Sequence, residues 1–313
     1  MARQKRYRYL VYLTSRFLAW LLYLLPRSWA YAVARFMGRF AYRFITRERM
    51  KTIEHLRQAY GGEKNQIEVV QIGQKVFENL CLTAAEVLQF QKWNRESILE
   101  HIRGQEAYDV YDVLLKEGKG LISLTAHLGN WELLAAVFGL RGYRGAVLAR
   151  RIYYEPYNRW VVGIRESFQV PTLYRDQSAG EVLERLAKNE IIGMLPDQDV
   201  RGGRGGIFVD FFGRPCFTST APVRLSLASG APMVCSFLVR EGEDRFRVAV
   251  GEVIRPQAAD DRREAVRHYT ELWMKEMEKM VRLYPEQWGW MHDRWHTQPE
   301  ALRPVRQEET VSL

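Results

Sequence analysis

The sequence predicts an α/β fold, in which a mainly parallel central sheet is flanked by helices and follows a helical N-terminal region. Two observations support this prediction. No proline occurs between Pro26 and Pro156, so long helices are permitted through that stretch. Beyond about residue 100, short apolar runs alternate with segments of helix length, which is typical of strands joined by helices in a parallel sheet.

The N-terminal region is predicted to be helical throughout. Helices are expected over residues 28–47, 47–60 and 65–90. In the last of these, apolar residues recur at helical spacing: Val69, Ile72, Val76, Phe77, Leu80, Ala84, Val87 and Leu88. We expect residues 1–47 to be a separate basic, aromatic part and residues 48–298 to form the α/β domain, with 48–100 as its helical lead-in. Residues 299–313 are expected to be a loosely structured tail.

The α/β domain is predicted to alternate between the two kinds of element. The predicted strands are residues 120–126, 146–149, 191–195, 231–239 and 245–254. The predicted helices are residues 105–117, 131–140, 156–168, 180–189, 219–229 and 261–283. A glycine-rich loop covers residues 201–206, and it lacks the Lys-Ser/Thr ending of a phosphate-binding P-loop.

The positive charge of the chain is concentrated at its N-terminus. The whole chain carries +9, but its first 60 residues hold 13 Lys and Arg against two acidic residues, a net +11. The remaining 253 residues hold 33 basic and 35 acidic residues, a net −2. These basic residues alternate with a continuous apolar face and no nucleic-acid-binding motif is present, which argues against a nucleic-acid partner.

Residues 9–25 form an apolar and aromatic run with Arg16 near its centre. As a helix, these 17 residues would span about 25 Å, somewhat less than a hydrocarbon core of ~30 Å. A central Arg costs about 2.5–3.5 kcal/mol on insertion scales. We therefore expect a helix that lies in the membrane interface; the alternative is an ordinary buried helix. Arg16 and Arg27 also argue against a cleaved signal peptide, and the basic flanks predict a cytoplasmic body.

The cysteines predict neither a disulfide framework nor a zinc site. Cys81, Cys216 and Cys235 are an odd number, widely spaced and without a CxxC pair. Reduced thiols in the cytoplasm fit this pattern best.

The segment with the clearest chemical content is residues 121–134, which read LISLTAHLGNWELL. An apolar strand ends at His127, and a helix begins near Asn130. On one helix, His127 and Glu132 would lie roughly 140° apart, but a turn at Gly129 would let Glu132 approach the imidazole. A carboxylate beside a histidine fixes its tautomer and makes it a general base. The alternative is structural, with a histidine closing a strand and a Glu favouring a helix N-terminus.

Four ordered blocks carry a resemblance to a known family. HLGNWE, at residues 127–132, looks like the His-four residues-acid motif of glycerolipid and lipid A acyltransferases. Residues 195–199 (LPDQD), 206–213 (GIFVDFFG, with Thr218 following) and 285–295 (PEQWGWMHDRW) agree in order and spacing. Over about residues 5–298, the chain is similar to the bacterial lipid A late acyltransferase family.

The resemblance implies a fatty acyl transfer from acyl carrier protein, or less favourably acyl-coenzyme A, to a hydroxyl of an anionic lipid A precursor. His127 would be the general base and Glu132 would orient it, with no covalent acyl-enzyme, no metal and no cofactor. The product would be an acyloxyacyl group, made at the cytoplasmic face of the inner membrane.

Further residues receive expected roles from the same resemblance. Asn130, Arg150, Arg151, Arg165 and Asp197 would bind substrate, stabilise the oxyanion or position other groups. The acyl chain would lie against aromatic residues, for which the candidates are Trp131, Phe208, Phe211, Phe212 and Phe217; the phenylalanines could equally belong to the core. From their aromatic surroundings, His292 and Arg294 are interpreted as parts of a structural aromatic plug; the alternative is a direct catalytic role.

Two other functions stay open at this point. One is acyl transfer to another membrane lipid, such as a phospholipid, a mannosylated lipid or an amino-acid-containing lipid. The other is a catalytically silent membrane-binding protein of the same fold.

Overall fold

A computed structural model describes residues 2–175, 179–201, 205–257 and 259–299, with side chains from residue 7 onwards. The chain begins with four helices, as predicted. They are α1 (Ala2–Leu24), α2 (Arg27–Phe44), α3 (Thr46–Tyr60) and α4 (Gln66–Phe90). Among the helices of the described residues, none is both long enough and apolar enough to cross a membrane.

The four helices are joined by local signals and close contacts. Asn65 and Glu68 form a capping box, in which each side chain accepts a hydrogen bond from the other residue's backbone N–H. Gly38 lets α2 approach α4, since a Cβ at this position would lie 2.5 Å from the Cα of Glu78. The predicted tail begins at residue 299, and its residues 300–313 lie outside the described part of the chain.

The α/β domain contains nine strands and seven α-helices among the described residues. The helices are α5 (Arg95–Glu100), α6 (Gln105–Leu115), α7 (Trp131–Leu140), α8 (Glu155–Ser167), α9 (Ala179–Ala187), α10 (Ala221–Ser229) and α11 (Arg262–Leu283). The strands are β1 (Ile102–Arg103), β2 (Leu121–Leu124), β3 (Gly145–Ala149), β4 (Thr172–Tyr174), β5 (Ile191–Met194), β6 (Gly206–Phe211), β7 (Arg214–Ser219), β8 (Met233–Arg240) and β9 (Phe246–Ile254).

Seven strands form the central sheet in the order β1-β9-β8-β2-β5-β3-β4, and only the β8–β9 pair is antiparallel. The predicted fold class is therefore confirmed. Five of these elements were missed, namely α5, β1, β4 and the two strands of the β6–β7 hairpin. The first three have six residues or fewer, too short for a periodic pattern. The hairpin includes part of the predicted glycine-rich loop, whose residues 202–204 lie outside the described part.

Both faces of the sheet are covered, and β-strand alternation divides the core in two. Ile122 and Leu124 pack with Trp273 of α11 on one face. Leu121 packs with Tyr111 of α6 and with α7 on the other. In the second cluster, the buried Tyr111 hydroxyl is satisfied by hydrogen bonds to Ser123 (2.6 Å) and Ser236 (2.8 Å).

The sheet register brings four strand ends together. Leu124 of β2 and Leu148 of β3 both pair with Met194 of β5, and Ala149 pairs with Tyr174 of β4. The carboxyl ends of parallel strands are where α/β proteins place their binding sites. Each of these strands is followed by a polar residue: β2 by His127, β5 by Asp197, β3 by Arg150 and β4 by Arg175. The candidate site is therefore built at the carboxyl ends of these strands.

Candidate active site

His127 is held by Asp197, which follows the neighbouring strand β5. The imidazole Nδ1 lies 2.9 Å from Asp197 Oδ1, and the His127 backbone N–H donates to Oδ2 at 2.8 Å. Asp197 is fully buried and also accepts a hydrogen bond from Trp288 Nε1 at 3.1 Å. Since a carboxylate accepts at Nδ1, the free Nε2 of His127 is left as the proton acceptor.

The electrostatics of this pair favour a charged imidazolium. Burial by itself lowers the pKa of His127, but the charge and hydrogen bond of Asp197 outweigh it, and the pKa lies above its ordinary value of 6.5. Burial would raise the pKa of Asp197, yet the facing His127 holds that pKa well below its usual range. The arrangement is that of a histidine base with an ionised carboxylate behind it.

Glu132 occupies a different place from the expected one. Its carboxylate accepts two hydrogen bonds from the guanidinium of Arg165, at 2.7 and 2.8 Å. Among the described residues, no hydrogen bond joins Glu132 to His127. Glu132 lies in the first turn of α7 and points toward α8, which carries Arg165. Its charge still contributes to raising the pKa of His127, so it acts on the imidazole through space.

The loop that carries His127 is fixed by backbone contacts. Gly129 has a left-handed φ of 64°, and a Cβ there would lie 2.0 Å from the Leu238 carbonyl oxygen. The Asn130 N–H donates to the same carbonyl at 2.9 Å, and Gly289 N–H donates to the His127 carbonyl at 3.0 Å. Strand β8 and the C-terminal segment therefore clamp residues 127–130.

Asn130 serves as the N-cap of α7. Its Oδ1 accepts from Leu133 N–H at 3.1 Å, and its Nδ2 donates to Glu86 Oε2 at 2.8 Å. With its backbone N–H also engaged, Asn130 has its donors turned away from the imidazole, which argues against the expected oxyanion role.

Glu86 of α4 belongs to a buried ion pair that sequence reasoning missed. It binds Arg240 at the end of β8 through two hydrogen bonds of 2.6 and 2.7 Å. The side chains are 0% and 8% exposed. Burial of the pair is possible because Asn79 and Thr83 also accept from the guanidinium. A Glu in the middle of a predicted amphipathic helix, with its partner 154 residues away, gives no local signal.

The expected anion-binding arginines divide into two groups. Arg165 is committed to Glu132, and Arg151 lies 3.7 Å from Glu155 and over the ring of Tyr174. Arg150 instead lies beside Arg175, a residue that sequence reasoning missed. Partial burial and the charge of Arg150 lower the pKa of Arg175. Two adjacent guanidinium groups at this edge suit an anionic ligand.

Trp131 lies between two apolar spaces beside the imidazole. Its ring centroid is 5.0 Å from that of His127. One space of about 400 Å³ opens between α4 and α8 and includes Glu132 and Trp160 in its wall. A smaller one of about 60 Å³ lies beneath α7 against the sheet. Either could receive part of an acyl chain.

The phenylalanine candidates for an acyl groove lie elsewhere. Phe211 and Phe212 are buried in the core, at 0% and 5% exposure, where they contact Trp288 and Trp290. Phe208 packs on Phe217 within the β6–β7 hairpin, with ring centroids 5.0 Å apart. Of the groove candidates, Trp131 is the one that contacts His127.

The C-terminal aromatic segment contributes a second histidine to the site. Arg294 is buried and donates to the backbone oxygen of Phe217 and to Thr218, as expected for a structural plug. His292, by contrast, lies against His127, with ring centroids 4.7 Å apart, and its Nδ1 is 3.3 Å from Gln198 Nε2. Burial and the neighbouring His127 lower the pKa of His292 to about 4. His292 is therefore neutral at physiological pH.

The chain is similar to known proteins over most of its length. Residues 1–297 match the family described as bacterial lipid A biosynthesis acyltransferase. The chain is 24% identical to the lipid A biosynthesis lauroyltransferase of Escherichia coli over 293 residues, which is 90% of each chain. It is 25% identical to the palmitoleoyltransferase of the same organism over 189 residues, 58% of each chain. A phosphatidylinositol mannoside acyltransferase of Mycobacterium tuberculosis is 30% identical over 138 residues, 43% of each chain.

Proposed function

The chain belongs to the bacterial lipid A biosynthesis acyltransferase family, and from that premise we propose that it transfers a fatty acyl chain from acyl carrier protein to a hydroxyl of a lipid A precursor. The observation that carries the catalytic part is the imidazole of His127, which is backed by the buried carboxylate of Asp197 and contacts Trp131, a wall residue of two apolar spaces. The acceptor is an anionic glycolipid and the reaction takes place at the cytoplasmic face of the inner membrane.

In the first step, the oxygen of the acceptor hydroxyl attacks the thioester carbonyl carbon, and Nε2 of His127 takes the proton of that hydroxyl. A C–O bond forms, and the carbonyl electron pair moves onto oxygen to give a tetrahedral oxyanion. In the second step, the carbonyl re-forms, the C–S bond breaks, and the His127 proton goes to the leaving sulfur. Asp197 stabilises the imidazolium throughout, because its carboxylate stays ionised.

His292 completes the imidazole site without competing for the proton. Its low pKa keeps it neutral beside a charged His127. A neutral imidazole retains one N–H, and this group is available as a hydrogen-bond donor next to the reacting atoms.

Glu132 and Arg165 form a second, rigid unit on the other side of Trp131. The bidentate contact fixes the carboxylate in the wall of the larger apolar space, close enough to favour the His127 imidazolium. Arg150 and Arg175, at the strand ends, would hold an anionic group of the substrate.

The N-terminal helices provide the membrane-binding surface of the proposal. Their exposed faces carry large apolar side chains: Leu10, Phe17, Trp20, Leu24, Trp29, Phe36, Phe40, Phe44 and Ile45. Tyr153, which is 87% exposed, extends this surface from the α/β domain, and Arg8 lies over its ring. Arginines interleaved with aromatic residues suit an anionic membrane interface. Because Tyr153 follows Arg150 by three residues, this surface reaches the edge of the active site.

The direct test is mass spectrometry of lipid A from a strain that lacks the protein, complemented with the wild-type chain or with His127→Ala. One acyl chain should be missing in the deletion strain and restored by the wild type alone. An unchanged lipid A with an altered phospholipid or glycolipid would contradict the proposed acceptor while leaving acyl transfer intact. Full restoration by His127→Ala would contradict the mechanism.

A further inference from the structure

A second basic surface lies in the α/β domain, away from the N-terminal helices. It is an open groove of about 840 Å³ between α10 and the first turns of α11, beside β6. Its lining residues are Ile207, Arg224, Asp261, Arg262, Arg263, Glu264, Val266 and Arg267. All four arginines are exposed. The part of the chain beyond residue 60 is net negative, so this concentration of arginines is a local feature.

The acidic residues of the groove do not cancel its charge. Asp261 is occupied as the N-cap of α11, where its carboxylate accepts from the backbone N–H groups of Arg263 and Glu264. Arg267 donates to the Phe208 carbonyl at 2.9 Å, which fixes its guanidinium at the rim. Arg267 also lies 3.8 Å from Glu271, one turn further along α11. Four guanidinium groups against these three carboxylates leave the groove with a net positive charge.

A second, smaller pocket lies near the groove, on the side of the candidate active site. Ala221, three residues before Arg224 on α10, lines a smaller pocket of about 150 Å³ together with Arg175, Gln198 and Ser219. These two residues are one helical turn apart, about 5 Å along the axis. Gln198 is 3.3 Å from His292, whose ring lies against His127. The smaller pocket therefore lies within about one helical turn of the groove residue Arg224, and its wall residue Gln198 contacts the histidine that adjoins His127.

We propose that the groove is the docking surface for the acidic carrier protein that delivers the acyl thioester, with its flexible arm reaching His127 through the smaller pocket. This inference rests on the proposed function. The smaller pocket combines polar walls (Arg175, Gln198) with apolar ones (Met194, Leu195), which suits an arm that has both amides and methylene groups.

A protein partner fits this groove better than a membrane does. Its two apolar residues are Val266, which is buried, and Ile207, which is half-buried. It thus offers charge without the exposed aromatic side chains that cover α1 and α2. Complementary charge without an apolar face accelerates and orients the encounter of two proteins.

The test compares the full-length double variant Arg224→Glu/Arg263→Glu with the wild type. A matched control is Lys116→Glu/Lys119→Glu, two exposed positions just before β2, at the opposite edge of the sheet from His127. For each protein, KM is measured with acyl carrier protein and with acyl-coenzyme A as donor. Binding to vesicles of phosphatidylethanolamine and phosphatidylglycerol is measured in parallel.

We expect the groove variant to raise the KM for acyl carrier protein about 10-fold or more, with a weakened salt dependence. Its KM for acyl-coenzyme A and its vesicle binding should stay unchanged, as should all values of the control. If the groove variant has an unchanged KM for acyl carrier protein, the docking proposal is overturned while the proposed function stands. If that variant instead loses vesicle binding, the groove is assigned to the membrane. A wild-type enzyme that uses acyl-coenzyme A but not the carrier overturns both the proposed donor and the docking surface.

Discussion

His127 and Asp197, at the carboxyl edge of the sheet, have side chains that are 21% and 0% exposed, whereas Trp29, Phe36 and Phe44 on the N-terminal helices are 62–67% exposed. There, both oxygens of Asp197 and the Nδ1 of His127 have partners at hydrogen-bond distance. On α1 and α2, large apolar side chains point outward and contact mainly one another, as Phe40 and Phe44 do. Directional chemistry needs fixed atoms, while attachment to a fluid surface needs only area and charge. The two regions should therefore respond differently to substitution.

The largest effect is expected at the imidazole. His127→Ala removes the proton acceptor, and we expect kcat/KM for acyl transfer to fall by about 10³–10⁴-fold. Vesicle binding should be unchanged, because the N-terminal helices are untouched. Transfer assays and vesicle sedimentation of the same preparation measure both properties. A variant that also lost vesicle binding would erase the distinction between the regions.

The next effect concerns stability rather than turnover. Glu86→Gln leaves the buried Arg240 without its ionic partner, and we expect a loss of about 3–5 kcal/mol in the free energy of unfolding. Denaturant titration measures it. Glu63→Gln is the matched control, since Glu63 is 57% exposed and pairs with Arg282 on the surface; its loss should be about 0–1 kcal/mol. Equal losses would show that burial does not set the strength of these pairs.

A smaller effect, with a defined pH signature, is expected for Asp197→Asn. Asp197 raises the pKa of His127, and the base must be neutral to act, so wild-type kcat/KM should rise with pH through that raised pKa. The Asn variant should shift this acid limb to lower pH and reduce the plateau by about 10²-fold, because imidazolium loses its stabilising charge. A pH–rate profile reports both changes. An acid limb that stayed in place would mean that another group sets the pKa of His127.

The smallest effect is expected on the exposed helices. Phe36→Ser/Phe40→Ser removes two apolar side chains, 65% and 48% exposed, and should weaken vesicle binding by about 10-fold. The kcat should change little. Val113→Ser is the control, since Val113 is 58% exposed on α6 and lies outside the proposed membrane surface. If the control weakened binding equally, the surface would have to extend over the α/β domain.

The sequence predicts features that depend on neighbouring residues better than contacts between residues that are distant in the chain. Helix α7 and strands β3, β5 and β8 follow from apolar runs and their spacing, which are local properties. The partner of His127 is not local: Asp197 lies 70 residues away and meets the imidazole because β2 and β5 are neighbours in the sheet. Glu132, five residues from His127, was the nearer candidate in sequence, but the direction of α7 turns it toward Arg165. The order of the strands in the sheet decides which of the two carboxylates pairs with His127. This order cannot be derived from the spacing of residues in the sequence.

His292 is a second case that the sequence could not decide: it was interpreted as structural, but it lies at the site. It belongs to an aromatic segment whose other members, Trp288, Trp290 and Arg294, are all buried, and the structural interpretation is right for them. A single turn places the His292 ring beside His127 instead. No feature of residue type distinguishes it from its neighbours before the fold is known.

Gly129 illustrates how the scaffold limits future change in the enzyme. A Cβ there would lie 2.0 Å from the Leu238 carbonyl oxygen, and the residue has a positive φ. Substitution would therefore push the catalytic loop away from β8 and displace His127 relative to Asp197. In a library of random variants selected for activity, this codon should return glycine almost without exception, while the walls of the acyl spaces diversify. We expect selection to alter chain-length preference at wall positions other than Trp131 and Glu132, since these two residues also contact or influence the base.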